Sequence, residues 1–157
     1  MSKKSFKKPE LFNIPSTNSK IEKFINYLML DWKKSVARKI FFKALEEVKK
    51  NGHMNPYAVW EVALENASPQ VMVKSKRIWG AVYQVPLEVK SSKKFFYASN
   101  WIIRYSREKK WRPMYKSLAE ELLAAYSNQW SAVKRKEDAH KMAEANKAYA
   151  YLAKYVK

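Results

Sequence analysis

Apolar residues recur at helical spacing through most of this chain. Ile21, Phe24, Ile25 and Leu28 fall on one face of a helix. Ser19 and Glu22 form a capping-box pattern just ahead of them. A second helix is predicted from about 34 to 50, with a stripe of Val36, Ile40, Phe41, Ala44, Leu45 and Val48. Asn51-Gly52 stops it. Asp31-Trp32-Lys33-Lys34 forms a short basic turn between these two helices. Asn55-Pro56 opens a third helix, with a cap followed by Pro at the first helical position, and it ends before Ser68-Pro69.

The period changes over 71–89. Val71, Val73 and Ser75 alternate with Met72, Lys74 and Lys76, and Tyr83, Val85, Leu87 and Val89 alternate with Val82, Gln84, Pro86 and Glu88. Two runs of period two around Ile78-Trp79-Gly80-Ala81 predict a β-hairpin. Pro86 puts its strand at an edge. A lone two-stranded hairpin is barely stable in water, so this one needs support from the helices or a partner. Ser91 or Ser92 caps a fourth helix to about Ser106, holding Phe95, Phe96, Trp101, Ile102 and Ile103. A basic loop of Arg107, Lys109, Lys110 and Arg112 follows. Pro113 opens a fifth helix with Leu118, Leu122 and Ala125 inward, broken at Asn128-Gln129-Trp130-Ser131. A last helix is predicted over 132–157. Met142, Ala145, Tyr149, Leu152 and Val156 form its apolar face, and Lys136, His140, Lys147 and Lys154 its opposite, basic face. The expected fold is mainly α, a six-helix single domain over 19–157 with one protruding hairpin. Residues 1–18 carry Lys3, Lys4, Lys7 and Lys8 without apolar periodicity and are predicted to be a flexible basic arm.

Charge gives this fold a direction. The 157 residues hold 32 Lys and Arg against 14 Asp and Glu, a net charge of +18. Such an excess repels itself in a compact state, and a polyanionic partner is the simplest reason to keep it. The charge is segregated, because 51–73 contains no Lys or Arg. That stretch is expected to face protein. With no Cys there are no disulfides, thiolate metal sites or thiol nucleophiles. No run approaches the roughly 18 apolar residues of a membrane span, and the basic N-terminus lacks the apolar centre of a secretory signal. The scarcity of Gly, two in the chain, favours helices over many tight turns.

Catalysis needs convergent reactive groups, and few are available. His53 lies beside Gly52 in a turn, and His140 lies on the basic face. Glu46-Glu47 and Glu120-Glu121 are helical neighbours pointing about 100° apart, so neither is a carboxylate dyad. No known catalytic or phosphate-loop motif occurs, and the expectation is no enzyme, no cofactor and no metal. What remains is basic side chains interleaved with aromatics. Lys and Arg neutralise phosphates, and exposed aromatic rings stack on unpaired bases. Most of the 23 aromatics are expected in the core. Trp32, Trp79, Trp111 and Trp130 are the exceptions, because they fall in predicted turns near basic residues.

Three segments carry a family resemblance. KSKRIWGAVYQVPLEV resembles the hairpin of the bacterial and organellar small-subunit ribosomal protein seven family. AVKRKEDAHKMAEANKAYA is similar to that family's C-terminal segment, and FINYLMLDWKKSVARKIFFKALE resembles its first helix pair. The resemblance runs from about 20 to 150 in the family's order. It implies a protein that binds the 3′ major domain of small-subunit rRNA, starts assembly of the subunit head, and lies near the exit tRNA site and the mRNA path. It also implies contacts with neighbouring head and platform proteins, including the protein eleven family. By position it assigns rRNA contacts to Lys33 and Lys34, to Lys74, Lys76 and Arg77, and to Lys134, Arg135 and Lys136. The arm lysines Lys3, Lys4, Lys7 and Lys8 match in character alone. Lys93, Lys94, Arg104, Arg107, Lys109, Lys110, Lys141 and Lys147 join the expected rRNA surface, and Ile78, Trp79, Gly80 and Ala81 the tip near tRNA and mRNA.

The departures from the family share a theme. Trp32, Trp79 and Trp130 stand where it usually has Gly. Either these turns adopt other conformations or the indoles extend the RNA contact. Leu152–Lys157 runs past the family's usual end. Divergence of this kind suits an organellar ribosome, foremost a mitochondrial one, with bacterial cytoplasm or plastid as the alternative. Two other function classes are weaker. A free DNA-binding protein lacks a recognisable helix-turn-helix, and a membrane-surface protein lacks exposed Leu and Phe ridges beside its basic faces.

Overall fold

The computed structural model describes residues 19–129 and 131–155. Six α-helices and one hairpin follow in the predicted order: α1 (Ser19–Leu28), α2 (Lys34–Lys50), α3 (Pro56–Ala67), β1 (Val71–Ile78), β2 (Ala81–Glu88), α4 (Ser91–Glu108), α5 (Met114–Tyr126) and α6 (Ser131–Ala145). A 3₁₀ segment, Lys147–Tyr155, follows α6. The predicted basic arm over 1–18 and the departure at Trp130 lie outside the described residues.

Local chemistry sets several of these ends. The Asn55 side chain accepts from the Ala58 N–H, and Pro56 takes the first position of α3. At the end of α2 the chain turns at Gly52, whose φ of 93° is open to glycine at no steric cost. The capping box at α1 does not form as read. Ser19 is already helical, and the Glu22 carboxylate turns instead to Lys34 and Arg38 of α2, each at 2.8 Å.

The core is an aromatic knot wrapped by small side chains. Phe24 of α1, Phe41 of α2 and Trp60 of α3 are all buried. Their ring centroids lie 5.4, 5.7 and 5.8 Å apart, with both Trp60 pairs edge-on. Phe95 of α4 reaches Trp60 at 6.5 Å. Helix α5 lies against α2, α3 and α4 and brings Leu118, Ala119, Leu122 and Ala125 inward. Two positions of the predicted stripes move. Ala37 is buried where Val36 was expected, and Val36 is exposed. On α4, Ala98 and Ser99 join Ile102 and Ile103 inside, while Phe96 is exposed.

The C-terminal helix departs most from expectation. It stops at Ala145, and the chain continues as the 3₁₀ segment. Met142, Ala145 and Tyr149 are exposed, and Ala132, Val133, Ala139 and Ala143 are the buried side of α6. The expected basic face partly looks into the protein. Lys136 Nζ donates to the Asn66 carbonyl at 2.6 Å, satisfying the last turn of α3, where a cation also meets the negative end of the helix dipole. Asn66 in turn donates to the carbonyls of Ala125 and Tyr126 that end α5. The Gln70 N–H donates to His140 Nε2 at 3.0 Å. Polar side chains thus tie the ends of α3 and α5 to α6.

The strands pair antiparallel from Val71↔Glu88 to Ile78↔Ala81. Trp79 and Gly80 make the two-residue loop, with φ of 49° and 86° as a I′ turn requires. The support that a lone hairpin needs comes from α6 and the 3₁₀ segment. Leu152 is buried against Ile78 and Val85, Tyr83 meets Tyr149 at 5.4 Å, and Trp79 meets Tyr155 at 6.1 Å. This small second core is separate from the aromatic knot. Its isolation makes a prediction. Leu152→Ala should cost about 2–3 kcal/mol locally. Amide exchange should accelerate across β1 and β2 while helix-core amides keep their protection. Acceleration in α1–α5 as well would show that the two cores unfold as one.

Candidate nucleic-acid interface

Each group of predicted RNA-contacting residues is positioned by a different element. The turn after α1 runs Leu30-Asp31-Trp32-Lys33, closed by a 2.9 Å bond from the Lys33 N–H to the Leu30 carbonyl. Both central residues are left-handed, Asp31 at φ 48° and Trp32 at 60°. The loop after α4 comes beside this turn. Arg107 donates to the Leu28 carbonyl at 3.1 Å, so a guanidinium caps the end of α1. Lys33 and Arg107 then line one cleft, and Arg107, Arg104 and Lys110 line an adjoining groove. The structure therefore gathers Lys33 of the α1–α2 turn, Arg104 and Arg107 of the last turns of α4, and Lys110 of the loop that follows, from two regions far apart in the chain.

Several predicted cations, Arg104 of that group among them, are held by carboxylates. Lys34 pairs with Glu22 at 2.8 Å, and Arg104 with Glu108 at 3.1 Å. Lys109 Nζ sits 2.9 Å from Glu121, whose side chain is 1% exposed, and 3.4 Å from Glu120. Arg112 also pairs with Glu120. Lys109 is thus the counter-ion of a buried carboxylate, a structural duty that its place in a basic loop does not reveal. Lys147 pairs with Glu144 on an exposed surface.

On the hairpin, Lys74 and Lys76 share the face that carries Ile78 and Val85, and Arg77 points to the other. Lys74 and Arg77 are exposed and Lys76 is half-buried. At the tip, Trp79 is 86% exposed, and Gly80 and Ala81 are open. Ile78 is not part of that open tip. It is buried at 7% exposure because it packs on Leu152. On α6, Lys134, Arg135 and Lys141 are exposed. Near the start of α4, Lys93 stands over the Phe96 ring at 5.5 Å. Lys94 lines a groove with Lys20, which the sequence reading passed over. The available signal was its place in the first turn of α1, on the flank of the apolar stripe.

The two departures within the described residues keep a left-handed backbone. Trp32 and Trp79 hold the positive φ that Gly tolerates and a bulky residue resists, at a cost on the order of 1 kcal/mol each. The alternative that these turns relax to another conformation is therefore overturned. Trp111, in the loop before α5, is left-handed too, with φ 73°. Trp32 and Trp111 are almost wholly exposed, at 92% and 100%.

Among the described residues no group of His, Asp and Glu could hold a metal ion, and no helix is long and apolar enough to cross a membrane. Glu22, the partner of Lys34 and Arg38, has a displaced titration. The Lys34 hydrogen bond holds its carboxyl below the ordinary range, partial burial opposes that, and Arg38 adds to the lowering. A lowered folded value means that the ion-pair contribution is complete above the ordinary glutamate range. It is lost as pH falls through the folded value. Glu22→Gln should therefore be less stable than the parent by about 1 kcal/mol near neutral pH. In urea unfolding the gap should close as pH falls through the lowered folded value. A gap that persists in acid would make the Glu22 contribution non-ionic.

Comparison with known proteins agrees with this picture. The family model described as ribosomal protein S7p/S5e matches residues 1–147. The small ribosomal subunit protein uS7 of Natranaerobius thermophilus is 50% identical over 138 residues, covering 87% of this chain and 88% of that protein. The uS7 of Leptospira biflexa is 48% identical over the same shares. That of Bdellovibrio bacteriovorus is 41% identical over 150 residues, 95% of this chain and 96% of its own. With a family match across nearly its whole length and relatives this similar, the chain belongs to the ribosomal protein S7p/S5e family, whose members are structural ribosomal proteins and not enzymes.

Proposed function

We propose that this chain is a structural constituent of the small ribosomal subunit that binds the 3′ major domain of its rRNA and nucleates assembly of the head. The observation that carries the reading is the gathering of Lys33 from the α1–α2 turn with Arg104, Arg107 and Lys110 from the end of α4 onto adjoining grooves. A compact domain gains nothing by concentrating like charge, whereas a folded RNA presents phosphates at that density. Exposed cations on the hairpin (Lys74, Arg77) and on α6 (Lys134, Arg135, Lys141) add to the charge available to RNA. The exposed tip at Trp79, Gly80 and Ala81 supports a place near the exit-site tRNA and the mRNA path. Neighbouring head and platform proteins, including the protein eleven family, are the proposed protein partners. Helix α3 and its flanks, free of Lys and Arg over 51–73, suit such contacts.

The Trp-for-Gly departures support an organellar ribosome, foremost a mitochondrial one. A bacterial cytoplasmic ribosome is the second reading, favoured by the bacterial sources of the relatives at 41–50% identity. Fractionating cells and finding which compartment's small subunit carries the protein decides between them.

The electrostatic reading is tested on a 3′ major-domain transcript. Affinity should fall steeply between low and moderate salt, and a flat response would overturn the proposal. Lys110→Met should weaken binding, reduce the salt slope by about 1 and leave stability unchanged. Lys109→Met should instead cost about 3 kcal/mol in stability, because it strands the buried Glu121 carboxylate.

A further inference from the structure

The cleft between the α1–α2 turn and the facing ends of α4 and α5 has a combination of features that phosphate binding alone does not need. It encloses about 290 Å³ and is walled by Leu28, Leu30, Val36, Ile40 and Met114, with Asp31, Lys33 and Arg107 around them. Leu30 and Val36 remain 59% and 49% exposed there. An apolar hollow edged by two cations and a carboxylate is a poor arrangement for a surface that meets only solvent. Two exposed, left-handed tryptophans stand in the chain next to these lining residues, Trp32 between Asp31 and Lys33 and Trp111 between Arg107 and Met114. Glycine would hold either backbone without strain. Two indoles kept in strained turns, with their faces open to solvent, point to function more than to packing.

We infer that this cleft receives one unpaired RNA nucleobase, with Trp32 and Trp111 as stacking faces at its border. The inference rests on the RNA-binding reading above. The chemistry matches on three counts. A base is flat and apolar on its faces, which suits the aliphatic walls and the indoles. Its edge carries donors and acceptors that Asp31, Lys33 and Arg107 can meet. Its flanking phosphates need the cations already gathered at Arg104, Lys110 and Lys33. A paired base in a duplex offers none of its faces, so the site selects unstacked nucleotides.

The test uses the full chain with Trp32→Gly, Trp111→Gly and the corresponding Tyr variants. Two probes are needed: a 3′ major-domain transcript and a fully paired RNA duplex of about 20 base pairs. Because Gly fits both backbones, the Gly variants should melt at or above the parent temperature. They should bind the transcript roughly 5- to 100-fold more weakly, with the salt slope unchanged, since no phosphate contact is removed. Duplex binding should not change, and the Tyr variants should recover most of the transcript affinity. Unchanged transcript affinity in the Gly variants overturns the inference and leaves the hollow to a protein neighbour. Equal losses on both probes also overturn it. A parent protein that shows no salt-dependent binding to the transcript would instead sink the RNA-binding reading itself.

Discussion

The edge-on packing of Phe24, Phe41 and Trp60 is the contact on which the other parts of the domain rest. A chain with a net charge of +18 is under outward electrostatic pressure, and its folded state survives through a dense interior. The three rings come from α1, α2 and α3, and Phe95 adds α4. One buried point therefore sets the mutual positions of four helices, and with them the loops at their ends. The Lys33 turn and the Arg107 end of α4 meet because α1 and α4 are fixed in this way, and the Arg107 bond to the Leu28 carbonyl completes the junction.

The cations divide into two kinds of work. Lys34, Lys109 and Lys136 bind the protein to itself, through Glu22, Glu121 and the Asn66 carbonyl. Lys33, Lys110, Lys134 and Arg135 face outward. Adjacent members of one basic run, such as Lys109 and Lys110, thus do different things. Burial of the partner carboxylate separates them, and sequence position does not.

This division also explains how far the sequence could be read. Caps and breakers act locally, so Asn55-Pro56, Asn51-Gly52 and the period-two runs around Trp79-Gly80 were legible. Stripes were less secure where small and large residues compete. Ala37 fits under the knot, while the neighbouring Val36 borders the cleft, a choice made by the space between helices rather than by hydrophobicity. The C-terminal helix misled for a related reason. Its Met142–Tyr149 stripe has good helical spacing, but the shallow space beside β1 takes alanines. Lys136 and His140 then turn inward to serve backbone groups of Asn66 and Gln70, needs set by segments 70 residues away that no local pattern announces. At the candidate interface the list of cations was legible. Their grouping into adjoining grooves, the buried place of Ile78 and the role of Lys20 were not, because each depends on which loops meet.

The docking of Leu152 on Ile78 and Val85 has a consequence during synthesis. The hairpin is translated before α4, α5 and α6, yet Leu152, which covers it, follows roughly 70 positions later. Until it arrives, two strands with marginal stability wait on the nascent chain with an apolar face uncovered. The aromatic knot, built from residues 24–95, can close well before that point. The domain is thus arranged to mature in two stages, with the helices first and the hairpin last. A chain cut short near its end would release a folded helical body carrying an unfinished arm.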